Sequence, residues 1–108
     1  MRITRFQKKV YELVRRVPRG RVTTYSAIAK KLNTSPRAVG QALKKNPYTP
    51  IIPCHRVINN DGTIGGFKGR TKGKTIQEKT RFLRREGIII KNNKIKEEFI
   101  QRQIDAAF

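Results

Sequence analysis

The sequence predicts a mainly α, single-domain fold built around a helix-turn-helix, with one short β element. Three observations carry this. Apolar residues recur at helical spacing in several short segments separated by glycine, proline and asparagine. Two of those segments, within residues 24–45, are joined by a turn of three to four residues, the layout of a helix-turn-helix. Asn92-Asn93, between short apolar–basic runs, reads as the turn of a small hairpin. At 108 residues the chain has the length of one domain and can bury a modest core.

The first helix is expected over 4–17. Phe6, Val10, Leu13, Val14 and Val17 form its apolar stripe, and Thr4 is placed to cap it. Pro18 and Gly20 end it. A second, short helix begins near Thr24, with Tyr25, Ile28, Ala29 and Leu32 on one face. Asn33-Thr34 break the chain. Ser35-Pro36 then read as an N-cap followed by proline at the first helical position, opening a third helix to about Lys45. Val39 and Leu43 face inward there. Gly40 costs about 1 kcal/mol relative to alanine, and close approach by another backbone would explain it.

Asn46-Pro47 stop that helix, and the prolines of 47–53 predict a stiff, extended approach to Cys54. Asn59-Asn60-Asp61-Gly62 make a turn. Residues 63–73 are rich in glycine and carry Lys68, Arg70 and Lys72, a composition that lets backbone approach a ligand or an anion. A fourth helix is expected over about 75–85 on Ile76, Phe82 and Leu83, with Thr80 at suitable spacing and Gly87 at C′. Ile88–Ile90 and Lys94–Lys96 form the hairpin. Residues 97–108 show Phe99, Ile100, Ile104 and Phe108 at helical spacing, so a last helix is expected there.

Twenty-six Lys+Arg against seven Asp+Glu give a formal net charge of +19. That points to a polyanion, nucleic acid above all, bound with a steep salt dependence. A heat-adapted surface also gathers lysine, but normally with glutamate, which is scarce here. No apolar run is long enough to cross a bilayer, and no partner membrane is expected. A single cysteine excludes an internal disulfide and a thiolate-rich metal site, so no metal is expected. The thiol is that of an intracellular protein.

Cys54 is the sequence's single cysteine, and His55 beside it the single histidine. A thiol is a nucleophile as thiolate, and positive surroundings or a suitably placed imidazole favour that form. The imidazole needs an orienting group. Seven acidic residues are available, and Glu86, closing a helix before Gly87, is a reasonable candidate. A buried small apolar cysteine beside a core histidine is the competing reading. Acyl transfer to a peptide is another, opposed by the short chain and the charge.

Ile52-Pro53-Cys54-His55-Arg56-Val57-Ile58 resembles the active-site signature of the O6-alkylguanine-DNA alkyltransferases, also called methylated-DNA–protein-cysteine methyltransferases. The resemblance extends in order through Val22-Thr23-Thr24-Tyr25, Ile28-Ala29, Arg37-Ala38-Val39-Gly40, Asn46-Pro47, Gly65-Gly66-Phe67-Lys68-Gly69, Phe82-Leu83 and Glu86-Gly87. It covers about 4–90, leaving 91–108 as an extension of a single catalytic and DNA-binding domain. The family's usual N-terminal domain is then absent. The resemblance implies a small winged helix-turn-helix fold that enters the minor groove, rotates the damaged guanine outward, and moves its alkyl group irreversibly onto cysteine. It implies no cofactor, a duplex DNA partner carrying O6-alkylguanine, and a monomer.

The roles that follow from the resemblance are these. Cys54 is the alkyl acceptor, His55 the water-mediated base, and Glu86 the carboxylate holding it. Tyr25 crowds the target phosphate and helps proton transfer, Asn46 is the hinge, and Arg37 fills the vacated place in the stack. Thr24, Ala38, Gly40 and Arg56 fall with Tyr25 and Arg37 on the DNA side. Pro53, Val57, Phe67, Lys68 and Gly69 line the base pocket, with backbone at Val57 accepting the guanine amine. Phe67 stands where the family often has tyrosine, and Lys68 where serine is common. The alkyltransferase-like proteins, which recognise damage without reacting, lack the acceptor cysteine that this chain keeps. Damage sensing without transfer is the second reading of function, and plain winged-helix DNA binding the third.

Overall fold

The first turn of the chain is set by Thr4, whose hydroxyl accepts from the Gln7 backbone N–H while the Gln7 side chain accepts from the Thr4 N–H. This reciprocal cap opens α1, Arg5–Arg15, and satisfies two N–H groups that a helix start leaves unpaired. The computed structural model describes residues 3–47, 51–66 and 73–103. Phe67, Lys68 and Gly69, and the 104–108 part of the expected last helix, lie outside the described residues.

β1, Val22–Thr24, runs directly into α2, Tyr25–Leu32. Thr24 is the hinge between them, because its hydroxyl accepts from the Ala27 N–H at 3.0 Å. Asn33 ends α2 at φ 56, a left-handed conformation that asparagine tolerates. α3, Pro36–Lys44, then starts on the Ser35 cap with proline in its first turn. The helix-turn-helix is thus built by local chemistry the sequence displays. α1 packs across both helices and is tied to α3 by the Tyr11 hydroxyl, which donates to the Ala42 carbonyl at 2.7 Å.

After α3 the chain bends through a tight turn on Pro53, at φ −81 and ψ 68, with the Cys54 N–H donating back to the Ile52 carbonyl at 2.8 Å. A single 3-10 turn, Cys54–Arg56, carries the expected reactive residues into β2, Val57–Ile58. β2 pairs parallel with β1, Thr23 opposite Val57. On the other edge of β1 lies β5, Ile100–Gln101, also parallel. α4, Lys74–Arg85, follows, and β3, Ile90–Lys91, and β4, Lys94–Ile95, form the expected hairpin around left-handed Asn92 and Asn93.

Val57 belongs to the core cluster built on α1, α2 and α3, and Ile58 to a second cluster with Val22, Ile64, Leu83 and Ile88. Successive residues of a strand face opposite sides, so β2 joins two cores. Cys54 lies in the first of them, close to that seam.

Two expectations are corrected. Residues 97–103 are not helical: Glu97–Phe99 form a 3-10 turn and Ile100–Gln101 a strand. Phe99 and Ile100 pack side by side against the second core, and β1 supplies backbone partners that outweigh the helical spacing. Gly40 is not needed for close packing within the chain, since a Cβ there would meet nothing within 4 Å.

Candidate active site

Glu86 is the centre of the site. It caps the end of α4, and its side chain is 5% exposed. His55 Nε2 stands 2.9 Å from its Oε2. Arg56 Nε and Nη2 donate to the same carboxylate at 2.9 and 2.8 Å. The Gly20 N–H adds a longer bond of 3.4 Å. Burial alone would raise the Glu86 carboxyl, but the hydrogen bonds from Arg56 and His55 hold it below the usual carboxylate range. A buried carboxylate needs a cation, and Arg56 supplies it, with Nη1 also donating to the Val17 carbonyl at 2.9 Å. Arg56 therefore points inward, which corrects its expected place on the DNA side.

The carboxylate also sets the state of His55. Burial, chiefly, lowers the imidazole below its ordinary value, while Glu86 opposes the shift. A neutral ring carries one proton, and a carboxylate partner holds it on Nε2. Nδ1 is then a buried lone pair with no hydrogen-bond partner among the described residues. The ring plane is steadied by Phe82, 5.2 Å away between centroids. A free acceptor nitrogen is what a general base requires, and Cys54 is the adjoining residue in the chain.

Cys54 is 5% exposed. The thiol lies under the surface, in the cluster against which Tyr25 packs. Tyr25 covers this region and donates from its hydroxyl to the Gly66 carbonyl at 3.3 Å. Burial, and to a lesser extent charge at Cys54, push its hydroxyl up to about 12, so the phenol keeps its proton at neutral pH.

Tyr25 also borders an open groove of about 470 Å³, lined by Ser26, Pro36, Arg37, Gly40, Asn59, Asn60 and Gly66. Arg37 is exposed at the start of α3. Ala38 beside it is half-buried, and its N–H is spent on the Ser35 cap. Thr24, expected on the DNA side, is 1% exposed, with its hydroxyl used by the α2 cap. Asn46 Nδ2 donates to the Ile52 carbonyl at 3.1 Å and so ties the end of α3 to the Cys54 segment. Pro53 and Val57 are buried beside the thiol.

Sequence reasoning missed Lys79. It is fully buried, and Nζ donates to the carbonyls of Val57, Ile64 and Gly66 at 2.7, 2.6 and 2.9 Å. The Val57 carbonyl, expected to receive the guanine amine, thus already serves one donor. Burial pushes the Lys79 ammonium down to about 7, and charge at Cys54 opposes this. An uncharged amine has two N–H bonds to give where three carbonyls stand, so the carbonyls favour the ammonium. The missed signal was a lysine on the apolar stripe of α4, three residues after Ile76 and four before Leu83.

Fold and site together define a helix-turn-helix domain with a buried thiol, a carboxylate-held imidazole and a groove bordered by Tyr25 and Arg37. Residues 5–88 match the family described as 6-O-methylguanine DNA methyltransferase, DNA binding domain. The chain belongs to that family. It is 52% identical over 87 residues to the methylated-DNA–protein-cysteine methyltransferase of Thermococcus kodakarensis, covering 80% of this chain and 47% of that protein. The crystal structure of O6-methylguanine-DNA methyltransferase from Pyrococcus kodakaraensis superposes with a TM-score of 0.69 at 52% identity, over 80% of this chain and 48% of that one. S. pombe Atl1, crystallised with damaged DNA containing O6-carboxymethylguanine, gives a TM-score of 0.79 at 34% identity, over 94% of this chain and 98% of that one. The chain spans about half the length of the curated relatives it matches. In the described residues no helix is long and apolar enough to cross a membrane.

Proposed function

We propose that this chain is the catalytic as well as the DNA-binding unit of its family, one domain acting as an intracellular monomer on duplex DNA that carries O6-alkylguanine. The observation that carries the reading is the buried His55–Glu86 pair, Nε2 engaged by the carboxylate at 2.9 Å and Nδ1 without a partner among the described residues, in the turn that holds Cys54. His55 takes the thiol proton. The sulfur attacks the alkyl carbon, the carbon–O6 bond breaks as the C–S bond forms, and the electron pair passes to the guanine, which is protonated on release. The proton that His55 takes from the thiol balances the one the guanine gains, and Tyr25, a phenol at neutral pH, relays it. The thioether is stable, so each chain reacts once.

A sulfur buried in the fold cannot meet a base stacked in a duplex, so the reaction requires a rotated nucleotide. A lesion that pairs weakly lowers the cost of that rotation. Arg37, exposed on the groove, is the side chain suited to fill the gap. Gly40 leaves the groove floor open to a partner outside the chain. Incubation with a duplex containing one O6-methylguanine is expected to add one methyl per chain, on Cys54, by intact mass and peptide mapping. A chain that binds this duplex and never gains mass overturns the transfer.

Damage recognition without transfer is the second reading, favoured by the near end-to-end match to Atl1. Under either reading, Arg37→Ala is expected to weaken binding to the damaged duplex roughly tenfold, and to the intact duplex only about twofold. Equal losses on both duplexes, measured by fluorescence anisotropy at one salt concentration, would remove the finger role.

A further inference from the structure

Residues 97–102 lie beyond the family match and take no part in the chemistry above, yet they touch one wall of the groove and the strand that leads into the other. β5 pairs with β1, Val22 opposite Ile100 and Thr23 opposite Gln101. Thr23 Oγ1 donates to the Gln101 carbonyl at 2.7 Å, and the Arg21 guanidinium donates to the Glu98 carbonyl. β1 leads through Thr24 into Tyr25, the first wall. Arg102 reaches the second. Its Nη1 donates to the Asn60 carbonyl at 2.9 Å and to Asn60 Oδ1 at 3.1 Å. Its Nη2 donates to Glu97 Oε2 at 2.8 Å, and its Nε donates to Glu97 Oε1.

The guanidinium is a rigid planar fork. With one edge fixed on Glu97, the other is aimed at Asn60. Asn59 and Asn60 are exposed and sit in a turn held by local bonds, such as the Asn59 N–H to the Thr63 carbonyl at 3.0 Å, and by the hairpin, through the Ile95 N–H to the Gly62 carbonyl at 2.9 Å and the Ile64 N–H to the Asn93 carbonyl at 3.2 Å. Those hairpin bonds hold the far side of the turn, and Arg102 adds a tether at Asn60 itself. The Arg102–Glu97 pair is itself solvent-exposed, and such pairs add little to global stability. Its effect should be local.

We infer that the segment Glu97–Arg102 is a brace for the groove, and that Arg102, acting through Asn60, is a positioning residue that sharpens discrimination of damaged from intact duplex. This rests on the damaged-DNA reading above. The test is the ratio of affinities for a duplex with one O6-methylguanine and for its intact counterpart. Each protein also carries Cys54→Ser, so that transfer does not consume the lesion. Arg102→Met is expected to lower the ratio roughly fivefold, and Arg102→Lys, which keeps the charge but not the planar fork, to recover only part of it. Lys96→Met controls for the loss of one exposed charge and is expected to leave the ratio unchanged. Thermal midpoints of the variants should match that of the parent.

A parent ratio well above one that Arg102→Met leaves intact, or that Lys96→Met lowers equally, overturns the brace alone. A parent ratio of one overturns the damage reading, and the brace with it.

Discussion

Cys54→Ser is expected to gain no mass from an O6-methylguanine duplex under conditions in which the unaltered chain is fully methylated. A serine hydroxyl is far less acidic than a thiol, and His55 cannot make it a comparable nucleophile toward an alkyl carbon. Duplex binding should survive, because Arg37, Gly40 and Asn60 line the groove and Cys54 does not. The substitution puts a hydroxyl where the sulfur lies among apolar side chains, at a cost of about 1–3 kcal/mol unless it finds a partner. Cys54→Ala, which buries no polar atom, separates the two effects. Both variants should bind the damaged duplex with an affinity near the parent's and both should stay unmodified. Methylation found elsewhere in either variant would sink the assignment of the acceptor.

Glu86→Gln is expected to slow transfer about a hundredfold and to destabilise the fold by about 3 kcal/mol in urea. Three separate parts of the chain converge on this carboxylate: Gly20, the His55–Arg56 turn and the end of α4. An amide of the same shape leaves the Arg56 guanidinium, 16% exposed, without its counter-charge. It can also turn its NH₂ toward His55, which puts the ring proton on Nδ1, where the acceptor is needed.

The pH dependence gives a second readout. The Glu86 carboxyl lies below 4.5 in the fold, so its contribution is complete above that value and is lost as pH falls. His55, lowered from 6.5, acts in the same direction: the unfolded chain takes up its proton first, so acidification again favours unfolding. In Glu86→Gln the carboxylate part of this acid limb disappears. Urea midpoints measured between pH 7 and pH 3 should therefore fall less steeply than in the parent. An unchanged slope would show that Glu86 is not held below the ordinary carboxylate range.

Much of this molecule is written in short-range signals. Thr4, Thr24 and Ser35 each cap the helix they precede, and Asn33 supplies the left-handed turn between α2 and α3. Glu86, one of seven carboxylates, is marked by its place at a helix end, and its side chain meets His55. The two parallel strand pairs were not legible. β2 and β5 have two residues each and β1 three, too few for an alternating pattern. The inward turn of Arg56 was also hidden, since a basic residue in a basic sequence reads as surface until a buried carboxylate claims it.

By itself the sequence determined the helix-turn-helix and its caps, because those depend on neighbours three or four residues away, and it displayed the residues of the proposed chemistry. Tertiary structure alone decided the protonation pattern and access at the site. Glu86 holds the imidazole from across 31 residues, Lys79 gathers three carbonyls from two segments, and Tyr25 lies over the cluster that contains the sulfur. Those contacts are made between parts of the chain far apart in order, and burial, which gives them their strength, exists only once both cores have closed.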